Sequence, residues 1–158
     1  PLAPSSFPIM PQISGLSFGT AATAMKYQGR DDLMLMVADE GAVFAGCFTT
    51  SKTASAPVHL SRRGIASGTA RAVITNAGNA NAFTGIRGEQ AIMAYRDVFA
   101  GALNIPSEGR LIASTGEMGK VLEADCIVIA KDKILSQLWH SSWQEGGEAI
   151  RTRDPFDV

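Results

Sequence analysis

The sequence predicts an α/β fold, on three observations. Apolar runs of strand length alternate with stretches whose apolar residues recur every three or four positions. The segments that follow the runs are rich in glycine and asparagine. The chain holds 16 glycines in 158 residues, where average usage of about 7% would give about 11. Hydrophobic residues make up 46% and charged residues 18%, a composition that sustains a core and argues against intrinsic disorder. At this length one domain, 1–158, is expected, burying roughly 70% of the surface that the unfolded chain exposes.

Taken in order, residues 1–15 are rich in proline and serine and read as an extended arm. Residues 33–37 and 42–48 are apolar runs joined by Ala38-Asp39-Glu40-Gly41. Acidic residues and a glycine between apolar runs predict a hairpin with Gly41 at positive φ. Residues 57–60 are a strand candidate, and Ser61 would cap a short helix limited by Gly64 and Gly68. Residues 70–75 predict a core strand that enters a loop at 76–85. Ile92, Tyr95, Val98, Phe99 and Leu103 then recur at helical spacing, so 88–103 is an amphipathic helix, broken by Pro106 and Gly109. A short strand at 111–113 leads into Ser114-Thr115-Gly116, and a second helix covers 123–138. Ser142 opens a third helix through a capping box with Glu145, although Gly146 and Gly147 weaken it.

Whole classes of function fall away. Lys plus Arg number 14 against 15 Asp plus Glu, a net charge of −1, which removes the electrostatic case for a nucleic-acid or anionic-membrane binder. No apolar stretch approaches the ~20 residues of a membrane span, and no basic segment marks a secretory signal. Cys47 and Cys126 lie far apart in apolar runs and read as buried, reduced thiols. His59 and His140 have no Cys or His partner at ligand spacing, so they read as surface or rim histidines and no metal site is expected. The expected setting is soluble and cytoplasmic.

Four clusters carry the chemistry. Residues 76–85 read Asn-Ala-Gly-Asn-Ala-Asn-Ala-Phe-Thr-Gly. Small residues there let backbone N–H groups approach a ligand or a neighbouring strand, and asparagine tolerates left-handed backbone. The same segment equally reads as a self-bonded loop. It is neither a phosphate loop nor a dinucleotide fingerprint, because the required lysine and glycine spacings are absent. Ser114-Thr115-Gly116-Glu117-Met118-Gly119 follows a strand and suits a developing oxyanion, or is an ordinary turn. Thr49-Thr50-Ser51 reads as a strand-ending turn. Arg151-Thr152-Arg153-Asp154 offers cations and a hydroxyl to a carboxylate-bearing ligand, or is a solvated helix end. No Gly-x-Ser-x-Gly elbow, no Cys–His pairing and no His-Glu-x-x-His occurs. If an acyl-transfer site exists, this chain supplies its oxyanion cradle without the nucleophile.

The asparagine-rich segment 76–85 resembles the signature of the ornithine acetyltransferase (ArgJ) family, the bifunctional glutamate N-acetyltransferases. Gly46-Cys-Phe-Thr-Thr50 with Ala56-Pro57-Val58, then Ser114-Thr115-Gly116 with Gly119, and Ala149-Ile150-Arg151-Thr152-Arg153-Asp154 are similar to further family segments in the same order. The resemblance implies the layered αββα sandwich of the DmpA/ArgJ-like type, a mixed sheet flanked by helices. It implies a precursor that cleaves itself before a threonine, which becomes the N-terminal nucleophile of a β chain. Acetyl then passes from N2-acetyl-ornithine to glutamate in arginine biosynthesis, in an α2β2 assembly. No cofactor is implied, although many members also accept acetyl-CoA as co-substrate.

By motif match, Thr115 and Gly116 would stabilise the oxyanion and Thr152 would contact the substrate amino acid. Asn76, Asn79 and Asn81 are candidates to line the site. The chain would be most of an α chain, with the nucleophilic Thr and a substrate-binding Lys beyond Val158. Five positions depart from the family pattern. Glu117 and Met118 replace two aliphatic residues, and Arg153 and Pro155 replace threonines. Asp157 stands where a Lys-containing stretch would begin. A carboxylate beside an oxyanion cradle opposes its charge unless it points away. Other readings are a related self-processing aminopeptidase, a secondary-metabolism acetyltransferase, and a non-catalytic homologue that binds amino acids or a partner chain.

Overall fold

The computed structural model of the chain describes residues 9–106 and 109–152. Pro1–Pro8 of the expected arm, and Arg153, Asp154, Pro155 and Asp157, lie outside the described residues. The described residues form a four-stranded mixed sheet in the order β1-β2-β3-β4. Strands β1 (Leu16–Ala21), β2 (Leu33–Ala38) and β3 (Ala72–Asn79) pair antiparallel, and β4 (Arg110–Glu117) joins β3 in parallel. The α/β class and the mixed sheet flanked by helices stand as expected.

Residues on facing strands share a face in register, and successive residues alternate. Ala21 and Leu33, then Leu35, Ile74 and Ile112, fall on one face by this register. All are buried, and they form one core with Leu60 of α1 (Ala56–Gly64) and Ile92, Tyr95 and Phe99 of α2 (Gly85–Leu103). Ile127 of α3 (Ala124–Ile129) and Ile134 of α4 (Lys131–Ser136) complete it. The opposite face meets α5 (Trp143–Ile150): the rings of Phe18 and Trp143 lie 4.3 Å apart between centroids. That helix begins with the expected capping box, the Glu145 N–H donating to Ser142 Oγ at 3.2 Å and the Ser142 N–H to Glu145 Oε2 at 2.6 Å. Its two glycines are buried, and a Cβ at Gly146 would come within 3.0 Å of Met34 Sδ. Here glycine serves close packing of helix on strand.

Several expectations are corrected. The hairpin of 33–37 with 42–48 does not form: β2 pairs with the upstream strand β1, and 42–48 carries no strand. Gly41 does take positive φ, at 89°. The segment 42–48 is mostly exposed, Val43 at 84%, so its apolar residues have no sheet to enter. Cys47 within it is exposed and Cys126 half-buried, so neither is the fully buried thiol expected. Burial and the neighbouring Glu123 push the Cys126 thiol up. Residues 57–60 are helical, because Pro57 sits in the first turn of α1, where its missing N–H costs nothing. Ser61 lies inside that helix and caps nothing. Residues 76–79 extend strand β3, and 114–116 continue β4. The helix expected at 123–138 is two helices broken at Ala130.

Candidate active site

Strand β4 is an edge of the sheet, and α1 packs against it through Ser61. The buried Ser61 hydroxyl donates to the Ile112 carbonyl and accepts from the Ile112 N–H, both at 2.7 Å. It thus replaces a missing strand for one residue. The N–H and C=O of a strand residue leave the same side, alternating along the chain. The backbone groups of Ser114 and Gly116 therefore turn toward the same free edge as those of Ile112. Ser114, Thr115 and Gly116 are half-buried.

The backbone bends here. Gly116 has φ 130° and pairs across the sheet with Gly78, at φ 107°. A Cβ on Gly116 would lie 2.3 Å from the Gly78 carbonyl carbon and 2.7 Å from the Asn79 nitrogen. Only glycine fits.

The asparagines hold this end of the sheet. Ser114 Oγ donates to Asn76 Oδ1 at 2.6 Å, and Asn76 Nδ2 donates to the Asn79 carbonyl at 2.8 Å. Asn79 Oδ1 accepts from the Asn81 N–H at 2.7 Å, and its Nδ2 donates to the Lys120 carbonyl at 3.1 Å. Asn81 Nδ2 donates to the Gly88 carbonyl at 3.0 Å, and Thr84 Oγ1 donates to Asn81 Oδ1 at 2.7 Å. All three asparagines are buried. Their amides are spent on backbone and on the Ser114 and Thr84 hydroxyls, so they brace the strand ends. Of the three, Asn79 also borders a shallow recess with Lys26, Gly78, Glu117 and Lys120.

Thr152, which follows α5, comes to the same place. The Thr115 and Thr152 hydroxyl oxygens are 3.5 Å apart, 37 residues from one another in sequence. The Arg30 guanidinium, stacked 4.1 Å from the Tyr27 ring centroid, donates to the Arg151 carbonyl and ties this segment to the β1–β2 connection. Arg151 itself pairs with Glu148. Glu117 pairs with Lys26 at 3.4 Å. Sequence reasoning assigned no role to Lys26, Tyr27 or Arg30. Their signal was a polar stretch, Lys-Tyr-Gln-Gly-Arg-Asp-Asp, between two apolar segments. Thr49-Thr50-Ser51 is exposed but ends no strand, since 42–48 carries none; the turn there falls on Lys52 and Thr53. Among the described residues no group of three or more His, Cys, Asp or Glu could hold a metal ion. Among the described residues no helix is long and apolar enough to cross a membrane.

The model of the ArgJ family matches residues 17–157. The chain belongs to the ArgJ family. It is 43% identical over 156 residues to the arginine biosynthesis bifunctional protein ArgJ of Brucella suis, covering 99% of this chain and 38% of that protein. The protein of the same name from Agrobacterium fabrum is 43% identical over 157 residues, again covering 99% and 38%. The chain thus spans 38% of the length of these curated relatives. Among solved structures, arginine biosynthesis bifunctional protein ArgJ from Bacillus halodurans superposes with a TM-score of 0.81 at 31% identity. That match covers 90% of this chain and 75% of the other. Ornithine acetyltransferase from Mycobacterium tuberculosis, in complex with ornithine, gives 0.85 at 28% identity, covering 90% and 78%. The fold of this ArgJ-family chain is therefore that of family members with known structures.

Proposed function

We propose that this chain is the α part of an acetyltransferase that moves acetyl from N2-acetyl-ornithine to glutamate in arginine biosynthesis. The observation that carries the reading is the convergence of Thr115, Gly116 and Thr152 on the edge strand of the sheet. Family membership supports it, as does the likeness to an ornithine acetyltransferase whose structure holds ornithine.

A nucleophilic hydroxyl, the N-terminal Thr of a β chain cut from the same precursor, attacks the acetyl carbonyl. The tetrahedral oxyanion that forms is met by the Thr115 hydroxyl and the Gly116 N–H. Ornithine leaves as the amine, the acetyl group stays on the threonine, and the glutamate amine takes it in the reverse sense. Donors fixed before reaction cost no reorganisation when charge develops, the reason such sites accelerate acyl transfer. Thr152 contacts the amino-acid part of the substrate. The same cradle serves self-cleavage. Acetyl-CoA is an alternative donor, no cofactor takes part, the assembly is α2β2, and the setting is cytoplasmic.

Mass spectrometry of the complete protein tests this reading. A second chain beginning with Thr is expected, with production of N-acetyl-glutamate and ornithine from N2-acetyl-ornithine and glutamate. An uncut protein without that exchange contradicts it.

A further inference from the structure

We infer that Lys26 is a positioning residue for this reaction: its ammonium neutralises Glu117, whose carboxylate would otherwise oppose the oxyanion forming beside Thr115. The inference rests on the oxyanion reading above and adds to it a residue from the β1–β2 connection.

Glu117 lies two positions beyond Thr115 on the same strand and directly follows Gly116, about 7 Å from Thr115 along the chain. That is within the ~8–10 Å over which charges interact at ordinary salt. An unpaired carboxylate there raises the barrier to any step that builds negative charge at Thr115 and Gly116. Lys26 Nζ sits 3.4 Å from Glu117 Oε2. Lys120 and Glu123 border the same recess, so the recess itself brings no excess of positive charge to replace Lys26.

The placement of Lys26 is built. Its stem lies over Gly78, the register partner of Gly116: a Cβ on Gly78 would come 2.9 Å from Lys26 Cβ and 3.6 Å from its Cδ. The connection that carries it is anchored by buried Asp32, whose Oδ1 accepts from the Thr23 N–H at 2.6 Å, while Thr23 Oγ1 accepts from the Met25 N–H at 3.2 Å. The bare Gly78 thus makes room for the Lys26 stem and the Tyr27 ring edge. The two side chains are 44% and 49% exposed, and ion pairs at that exposure add little to stability. Their consequence is local charge.

The test uses the complete protein and steady-state acetyl transfer from N2-acetyl-ornithine to glutamate. Lys26→Met keeps the stem and removes the charge. It is expected to lower kcat about tenfold with KM little changed, and the deficit shrinks at high salt. Adding Glu117→Gln to Lys26→Met recovers most of the lost rate, and Lys26→Arg retains it. A Lys26→Met protein within twofold of the unchanged rate overturns the inference, as does a deficit that Glu117→Gln leaves in place. Thr115→Ala is run alongside. Full activity there overturns the oxyanion reading and this inference together, whereas a crippled Thr115→Ala beside an unaffected Lys26→Met overturns the role of Lys26 alone.

Discussion

Gly116 stands opposite Gly78 in the adjacent strand, both at positive φ, and the Gly116 Cα leaves no space for a methyl group. The bend that presents the Gly116 amide therefore depends on the absence of a side chain at Gly116, while the absence of one at Gly78 makes room for Lys26 and Tyr27. Gly116→Ala meets both a backbone region that L residues avoid and a contact of 2.3 Å with the Gly78 carbonyl carbon. It is expected to cost about 3 kcal/mol or more, read by urea unfolding. A loss below about 1 kcal/mol would mean that the strands separate freely there.

The edge of β4 depends on Ser61 in a comparable way. Ser61→Ala leaves the Ile112 N–H and C=O without the hydroxyl that serves both. Stranding buried backbone groups costs about 1–3 kcal/mol, so a fall in Tm of roughly 5 °C is expected in a calorimetric scan. An unchanged Tm would show that α1 packs on the edge without this bond.

How much of this was legible in the sequence follows from which forces are local. The spacing of Ile92, Tyr95 and Phe99 predicted α2 because all three face one core. The capping box at Ser142 was legible because it is closed within three residues. The strand that pairs with β2 was not. Leu-Ser-Phe-Gly-Thr-Ala at β1 is short and mixed in polarity, and the downstream run 42–48 is more apolar yet exposed. Asn76 to Asn79 carries turn chemistry, but tertiary bonds to Ser114 and Lys120 hold it as strand. The break at Ala130 has no breaker in the sequence, and Ile127 and Ile134, seven residues apart, would share a face of one straight helix as well, so nothing in 123–138 foretold two helices. Thr115 and Thr152 meet only in three dimensions. Resemblance pointed to each singly, and their contact comes from the packing of α5 on the sheet.

Tyr95 offers a test of the core. It is fully buried, and its hydroxyl has no hydrogen-bond partner among the described residues. Burial alone holds its phenol well above the ordinary range near about 10. The neutral form is favoured in the folded state, so this contribution is complete below that range and is lost as pH rises above it. Tyr95→Phe removes an unpaired buried hydroxyl and is expected to raise stability by about 1 kcal/mol at neutral pH. It should also lessen the fall in stability at alkaline pH, followed by urea unfolding as a function of pH. A destabilised Tyr95→Phe would reveal a partner for the hydroxyl.

The most direct measurement is kcat for acetyl transfer in the complete protein carrying Thr115→Ala. Removing one oxyanion donor typically lowers turnover ~10²–10³-fold, and the account predicts a loss of that order with KM little changed. Self-cleavage of the precursor should slow as well. Turnover equal to that of the unchanged protein, with cleavage at the normal rate, would contradict it.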